Sequence, residues 1–467
     1  MDVRETSLSL RVAWAAAFAL AATLLITPWL GHFDDTDAQL YQVVIRKMAE
    51  RRAWMDPGYL DHFAAHYRDH LPFGIWPFAI AQVALGEFAP RVVAASFSLA
   101  TLAGLAVAGR KLLGEWPALA AVLVLATTET FFRYGGATRL DPLLVLLANA
   151  AAVPFLLGWR RWPAIAVAGI LAALATLVKG PFGLVPLLAA AGARAWADRS
   201  FQPLARGVAA ALLASLPLLG FLMADHFWLY GGWWETYGLG QLLASATGAR
   251  SDGSLHWWFP LATVIGRFWP GMALIAACLV LLLFRPAMVS RNARLVMVFC
   301  VLMLVALCIP GRKVWNHALI AYPGLALFAG LSIAPFAGWL GQRWRASWVA
   351  AGVASLALIA MATAPLLGKL VDSPQCVASL EFSKTLDTLP AGSSILVVSS
   401  PTSWRTLASL SAERRLEPIP LGSLPAVAAG PGEALAIVQD DLVPKAAGAW
   451  EVVRRARGWT LMRTVVR

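Results

Sequence analysis

Charge is what this chain has least of. Only 14% of its 467 residues are Asp, Glu, Lys or Arg, and 59% are hydrophobic, whereas a soluble domain carries about 25% charge. A water-soluble globular fold is excluded on that ground, and an all-α polytopic membrane protein is expected. Cysteine is scarce too. Of the four present, Cys278, Cys300 and Cys308 lie in apolar stretches and only Cys376 falls outside them, so no even set stands ready for a disulfide framework. No repeat of about 20–50 residues recurs. Residues 1–10 are too short and too weakly basic, with no small-residue cleavage site before Pro28, to read as a cleaved signal peptide. Residues 11–30 read instead as a retained anchor.

Tryptophan, by contrast, is abundant at 21 residues, which suits a protein with indoles at a bilayer interface. The formal charge of +12 would suggest nucleic acid in a soluble protein. Here the Lys and Arg residues fall mostly between hydrophobic segments, where the positive-inside rule accounts for them, and no nucleic-acid partner is expected.

Apolar stretches near the roughly 20 residues needed to cross a hydrocarbon core occur at 11–30, 90–109, 116–133, 141–158, 162–178, 180–197, 206–224, 258–284, 294–310, 314–336 and 347–368. About eleven transmembrane helices are predicted. The segment 72–85 is apolar but short, and Pro72, Gly74 and Pro77 interrupt it, so an interfacial or re-entrant helix is expected there. If it does not cross, Arg110 and Lys111, Arg160 and Arg161, the stretches 194–206 and 285–294, and Arg343 with Arg345 share the cytoplasmic side. The same choice gathers the loop 31–71, Asp141, Lys179, the loop 225–256, Arg312 and Lys313 on the outer face. A membrane domain over 1–371 and an external tail over 372–467 follow. In the tail, 393–400 and 434–438 read as strands, 403–412 as a helix and 450–466 as a hairpin closing near Gly458. That pattern predicts a small α/β domain, and it carries no catalytic constellation.

The outer-face residues carry the chemistry. Asp34, Asp35 and Asp37 stand within four residues at the end of the first membrane helix. One of them suffices to cap a juxtamembrane helix over 39–52, so at least one is a candidate for catalysis. Asp141 follows Arg139 and precedes Pro142; it is either an N-cap with Pro behind it or a second acid beside the first. His256 precedes Trp257, Trp258 and Phe259, as an interfacial histidine or as a ligand for a metal or a phosphate. Lys179 interrupts an apolar run and must snorkel or find a partner. With Arg312 and Lys313 it offers either a membrane anchor or the cations that an anionic phosphate leaving group needs.

These residues also carry a family resemblance. The spacing of Asp37, Tyr41, Arg46, Met48 and Trp54, with Pro57 behind Trp54, resembles the first outer loop of GT-C glycosyltransferases, especially the aminoarabinose (lipid A) transferase and protein O-mannosyltransferase group. Asp69-His70-Leu71-Pro72 is similar to the group's Glu-Lys-Pro-Pro motif, with Asp for Glu and His for Lys. The stretch 138–143 is similar to its second acidic motif, Lys179-Gly180-Pro181 to its Lys-Gly-Pro, and 256–259 to its aromatic outer-loop motif. Each match is short; taken in family order on one face, they cover most of residues 11–335.

The resemblance implies a bacterial inner-membrane enzyme with a periplasmic active site and C-terminus. It implies a polyprenyl-phosphate sugar as donor and a lipid A, glycan or protein acceptor. It puts the catalytic carboxylate on Asp37, with Asp35 the close alternative and Asp141 as second acid. Tyr41, Arg68, His70, Arg139, Lys179, Arg312 and Lys313 are then expected at substrate, and Asp69 with His256 as ligands of a divalent ion such as Zn, Mg or Mn. Inversion at the sugar carbon is expected because the acceptor attacks directly. A transporter or flippase would use the same charges as a path; charges gathered at one face rather than at the midplane, and the lack of an inverted repeat, weigh against it. An assembly protein whose outer domain does the work is the third reading.

Overall fold

The computed structural model describes residues 3–30, 36–57, 67–229, 231–250, 253–284, 290–333, 352, 394–398, 415–418, 435–439, 450–456 and 459–464. The chain forms two compact units, residues 1–30, 68–77 and 91–367 in one and 31–67, 78–90 and 368–467 in the other. The expected helices at 347–368 and 403–412 and the expected boundary at 371/372 lie outside the described residues, except for residue 352.

The helices are α1 (Val3–Leu30), α2 (Thr36–Arg51), α3 (Pro72–Leu85), α4 (Ala89–Leu113), α5 (Glu115–Thr127), α6 (Glu129–Gly136), α7 (Asp141–Leu156), α8 (Trp162–Lys179), α9 (Val185–Asp198), α10 (Gln202–Ala224), the single turn α11 (Ala244–Thr247), α12 (Phe259–Arg267), α13 (Gly271–Phe284), α14 (Arg291–Cys308) and α15 (Tyr322–Gly330). Among the described residues, six helical runs are long and apolar enough to cross a bilayer on their own, and up to eight if each of two bent pairs makes one crossing. The surface fits that setting. Along α10, Val208, Leu212, Leu216, Leu219 and Met223 are exposed while Ala210, Ala211, Ala214, Leu218 and Leu222 are buried. A face of large apolar side chains turned outward, with three alanines among the inward residues, is unlike a soluble helix and suits helix packing in lipid.

Polar contacts at the helix termini define two ends of this bundle. At one end the Trp29 indole donates to the Gly136 carbonyl at 2.6 Å, and Lys179, closing α8, meets Asp141, opening α7. At the other end the Trp14 indole donates to Glu115 at 3.1 Å. There Arg160, just past α7, and Arg291, opening α14, both reach Asp198 at the close of α9, and the Asn292 amide donates to the Leu112 carbonyl. The helical run Trp162–Asp198 is 37 residues long, about 55 Å if straight. Because Lys179 lies at the Asp141 end and both its termini at the Asp198 end, the run doubles back at the 3-10 turn Gly180–Leu184.

Three local readings need correction. The stretch 258–284, expected as one helix, is α12 and α13 with a bend of 102° between them; Pro270 stands in the break and supplies no N–H to continue the ladder. The stretch 116–133 is α5 and α6, split at Thr128, whose backbone is extended at φ −69° and ψ 116°. In 72–85, Gly74 and Pro77 do not break the helix: α3 is continuous over 14 residues. A Cβ on Gly74 would stand 3.2 Å from the Val178 Cα, so this glycine lets two backbones approach.

The second unit contains α2 and a five-stranded sheet: β1 (Ser394–Val398), β2 (Arg415–Pro418), β3 (Leu435–Gln439), β4 (Trp450–Ala456) and β5 (Trp459–Thr464), in the order β2-β1-β3-β5-β4. β1 runs parallel to β2 and β3, while β5 pairs antiparallel with β3 and β4. The expected strands at 393–400 and 434–438 and the hairpin at 450–466 correspond to β1, β3 and β4–β5. β2 went unread because Pro418 and two charges disguise it. At the edge of a sheet a proline is tolerated.

Candidate functional site

The site is built around one buried acid shared by two buried cations. Asp141 opens α7 with Pro142 directly behind it, and its two carboxylate oxygens face opposite ways. Oδ1 accepts from Lys179 Nζ at 2.7 Å, and Oδ2 accepts from Arg139 Nε at 2.9 Å. Their side chains are only 8%, 5% and 1% exposed for Lys179, Asp141 and Arg139. Charges so far out of water persist only when paired. The Arg139 guanidinium also lies over the Tyr134 ring, 4.5 Å from its centroid, and Tyr134 meets Trp315 at 4.9 Å. Arg267 covers the other side of this aromatic chain, 4.4 Å from the Trp315 ring centre.

Lys179 is held there by the turn behind it. Gly180 ends α8 at φ 70° and ψ −156°, in the region that glycine alone enters without strain. Pro181 then starts the 3-10 turn with its φ already set. A side chain at 180 would also crowd its neighbours, because a Cβ would stand 2.7 Å from Leu242 Cδ2 and 3.1 Å from the Tyr237 hydroxyl. Both belong to the stretch Trp234–Leu243, which packs on Gly180 through a cluster of Leu71, Leu218, Leu222, Trp233 and Tyr237. Asp225 fixes the approach to that stretch by accepting from the backbone N–H groups of Gly231, Trp233 and Trp234.

A second strip of chain reaches the same end through residues 310–317. Its backbone is pinned by bonds from Gly311 N to Ala246 O, from Arg312 N to Ser245 O, and between Ser254 and Lys313 in both directions. Lys313 is 4% exposed, and its ammonium donates to the carbonyls of Pro310 at 2.6 Å, Gly311 at 3.3 Å and Leu255 at 3.5 Å. All three donors of this lysine are therefore spent on carbonyls of its own strip and of Leu255 beside it. Arg312 is half-buried and, with Lys179 and Asp141, lies within electrostatic reach of the His317 imidazole. That ring sits 4.2 Å from the Phe182 ring in the 3-10 turn.

Three buried polar groups border the triad without a hydrogen-bond partner among the described residues: the Thr138 hydroxyl, the Tyr237 hydroxyl and Asn316 Oδ1. Burial pushes the Tyr237 phenol up, so it stands as a neutral donor. An unmet group of this kind costs about 1–3 kcal/mol. With Arg139, Lys179, Arg267 and Arg312 set against Asp141, this end is a cationic, donor-rich surface suited to an anion.

The remaining candidates fall as follows. Asp37 is exposed in the first turn of α2. Tyr41 is not exposed beside it: the ring is 2% exposed, among α2 core residues Ala38, Ile45 and Met48, and meets the Tyr67 ring edge-on at 6.5 Å. Asp35 lies outside the described residues, as does Asp34. Arg68, Asp69 and His70 are half-buried. Asp69 accepts from the Gln241 side-chain amide at 2.9 Å, and the Arg68 guanidinium lies beside Gly232. His256 is exposed and stacks on Trp258 at 5.4 Å. Among the described residues, no three His, Cys, Asp or Glu side chains come together as a metal site.

Tyr237, Arg267, Asn316 and His317 were not legible as site residues. The last two sit in an apolar stretch that reads as one more membrane helix. The only cue was their closeness in sequence to Arg312 and Lys313.

Residues 69–221 match the family described as dolichyl-phosphate-mannose-protein mannosyltransferase. Among curated proteins, the undecaprenyl phosphate-alpha-4-amino-4-deoxy-L-arabinose arabinosyl transferases of Pseudomonas paraeruginosa and Pseudomonas aeruginosa are each 24% identical to this chain. The matches run over 286 and 289 residues, 56% and 57% of this chain and 49% and 50% of theirs. The chain spans about half the length of the curated relatives it matches. In three dimensions it is similar to ArnT from Cupriavidus metallidurans bound to undecaprenyl phosphate, with a TM-score of 0.72, 16% identity, and 97% of this chain and 98% of that one covered. It is also similar to the oligosaccharyltransferase AglB of Archaeoglobus fulgidus in complex with an inhibitory peptide and a dolichol-phosphate, with a TM-score of 0.54, 14% identity, and 89% and 65% covered. The chain has the fold of these GT-C proteins and resembles the aminoarabinose and protein mannosyl transferase group.

Proposed function

We propose that this chain is an integral-membrane glycosyltransferase that moves a sugar from a polyprenyl-phosphate donor to an acceptor at the Asp141 end of the bundle. The observation that carries the reading is the excess of buried positive charge there: one carboxylate, Asp141, shared by Lys179 and Arg139. Fixed cations in a water-poor site act where charge develops in the transition state, and the charge that develops when a polyprenyl phosphate departs is negative.

In the reaction the acceptor oxygen attacks the anomeric carbon and the bond from that carbon to the phosphate oxygen breaks. The phosphate leaves with the electron pair, and the acceptor proton passes to a carboxylate. Asp37 is the base in this reading, with Asp35 as its alternative. One displacement inverts the sugar carbon. Lys179 and Arg312 steady the leaving phosphate, with Arg139 behind them, and the Tyr237 hydroxyl and Asn316 supply neutral contacts. Asp141 serves as counter-ion rather than as base. His70 and Arg68 remain candidates for donor contacts; no step runs through a metal ion at Asp69 and His256.

The relatives described above support a lipid-phosphate donor. A pentose such as aminoarabinose suits two of them and a hexose the mannosyl family; lipid A, a glycan and a protein side chain are the acceptor classes. The Asp141 end faces the periplasm in this reading, because Arg110, Lys111, Arg160, Arg161, Arg194, Arg199 and Arg206 gather toward the opposite end. About ten crossings follow among the described residues when the run Trp162–Asp198 counts twice and α5–α6 and α7 count separately; the eleventh expected, 347–368, lies outside them apart from residue 352.

Binding of undecaprenyl phosphate to the purified protein, read as a thermal shift, tests the site. The wild type should be stabilised by the lipid phosphate and not by undecaprenol, and Lys179→Met should lose the difference. Equal stabilisation by the phosphate and the alcohol would contradict a cationic leaving-group site.

A further inference from the structure

At the opposite end of the bundle a cavity of about 710 Å³ opens between the close of α9, the start of α10 and the first turn of α14. Its polar lining is Arg199, Ser200, Arg291 and Arg294, its apolar lining includes Trp196, Phe201 and Leu204, and among the described residues no carboxylate lines it. We propose that this cavity holds the headgroup of an anionic glycerophospholipid from the leaflet at that end, a site separate from the sugar-transfer reading and independent of it.

Depth is the first reason. α8 has 18 residues and α10 has 23, so the Asp141 and Asp198 ends stand about 27–35 Å apart. That is close to the hydrocarbon thickness of a bilayer, and it sets the cavity at the level of phosphate groups. Trp196 and Phe201 are 54% and 84% exposed beside the arginines, as side chains of an interfacial belt are.

Charge is the second. Asp198 sits next to the cavity, accepts from Arg194 and Arg291 and pairs with Arg160 at 3.6 Å, so the local acid is already outnumbered. Arg291 spends one nitrogen on Asp198 at 2.6 Å and on the Ala197 carbonyl at 2.9 Å. The guanidinium groups of Arg199 and Arg294 make no hydrogen bond or ion pair among the described residues, and both residues are exposed. Two unspent guanidiniums fork naturally onto phosphate oxygens.

Backbone geometry adds a third. Arg199 ends α9 in the left-handed conformation, φ 49° and ψ 42°, a place where glycine is the unstrained choice. An arginine there costs conformational energy and supplies a side chain to the cavity wall. Basic recesses between helices at this depth are suited to acidic headgroups.

The test is native mass spectrometry of the full chain released from neutral detergent after equilibration with phosphatidylglycerol or phosphatidylcholine. The wild type should retain phosphatidylglycerol in preference. Retention should fall roughly fivefold for each arginine removed, on the order of twentyfold for Arg199→Gln with Arg294→Gln. The corresponding lysine pair should keep most of it. If the double variant does not fold, Arg294→Gln alone, on the exposed first turn of α14, gives the fivefold reading. Equal retention of the two lipids by the wild type, or unchanged retention in the glutamine variants, overturns the proposal. So does stripping of the lipid by millimolar inorganic phosphate, which would make the occupant a soluble anion.

Discussion

Lys179 Nζ lies 2.7 Å from Asp141 Oδ1, joining the end of one membrane helix to the start of another across 38 residues of sequence. Because Arg139 holds the other carboxylate oxygen at 2.9 Å, Asp141 neutralises two cations, one on each oxygen. Asp141→Asn should therefore destabilise the protein, by about 3–5 kcal/mol if the two cations stay buried. Adding Lys179→Met should restore part of that loss. Thermal unfolding of the two single variants and the double variant measures the coupling; simple additivity would dissolve the ion triad.

Gly180→Ala should cost more than a surface substitution. The residue must take φ 70°, worth about 1–2 kcal/mol against any side chain, and the new methyl meets Leu242. A melting temperature well below wild type, with turnover reduced further because Lys179 is displaced, is the expected outcome. A variant indistinguishable in both respects would show that the turn tolerates a side chain.

Arg312 and Lys313 are adjacent yet should fail differently. Lys313→Met leaves the carbonyls of Pro310, Gly311 and Leu255 without their donor, about 1–3 kcal/mol for buried groups, and should lower stability with a modest change in KM. Arg312→Gln should raise KM for the lipid phosphate and leave the melting temperature nearly unchanged. Steady-state kinetics beside unfolding curves separates the two; the reverse pattern would exchange their roles.

Tyr237→Phe removes a buried hydroxyl with no partner among the described residues. Stability should hold or rise slightly, since the unmet polar group is gone, while kcat/KM falls about tenfold or less, as for one neutral contact. The raised phenol stays protonated across the neutral range, so wild-type activity should show no step near pH 7 attributable to it. A variant as active as wild type and less stable would mean that the hydroxyl has a structural partner instead.

Turnover should survive EDTA if Asp69 acts through its bond from the Gln241 amide at 2.9 Å rather than as a metal ligand. Loss of activity on chelation, recovered with Zn, Mg or Mn, would restore the ion that Asp69 and His256 suggested.

Much of the membrane domain was legible because hydrophobic length is a one-dimensional property. Asp141, Lys179 and Arg312 also stood out singly, as charges that an apolar setting makes expensive. Their pairing was not legible: nothing in sequence says that residue 179 lies beside residue 141 until α7 and α8 are packed antiparallel. Tyr41 reads as a ligand by spacing, yet the apolar stripe of Ala38, Ile45 and Met48 takes its ring into a core. Lys313 looked like Arg312 until the loop closed on it. His317 and Asn316 are too sparse in polarity to interrupt a hydrophobic run, so only the fold brings them to the charged end.

The most direct measurement is release of undecaprenyl phosphate, by mass spectrometry, from pentose- and hexose-linked donors incubated with the purified chain and a membrane extract of acceptors. The account predicts release from at least one donor by the wild type, with losses of at least about a hundredfold in Asp37→Asn and in Lys179→Met. No donor consumed, or both variants turning over at the wild-type rate, would contradict it.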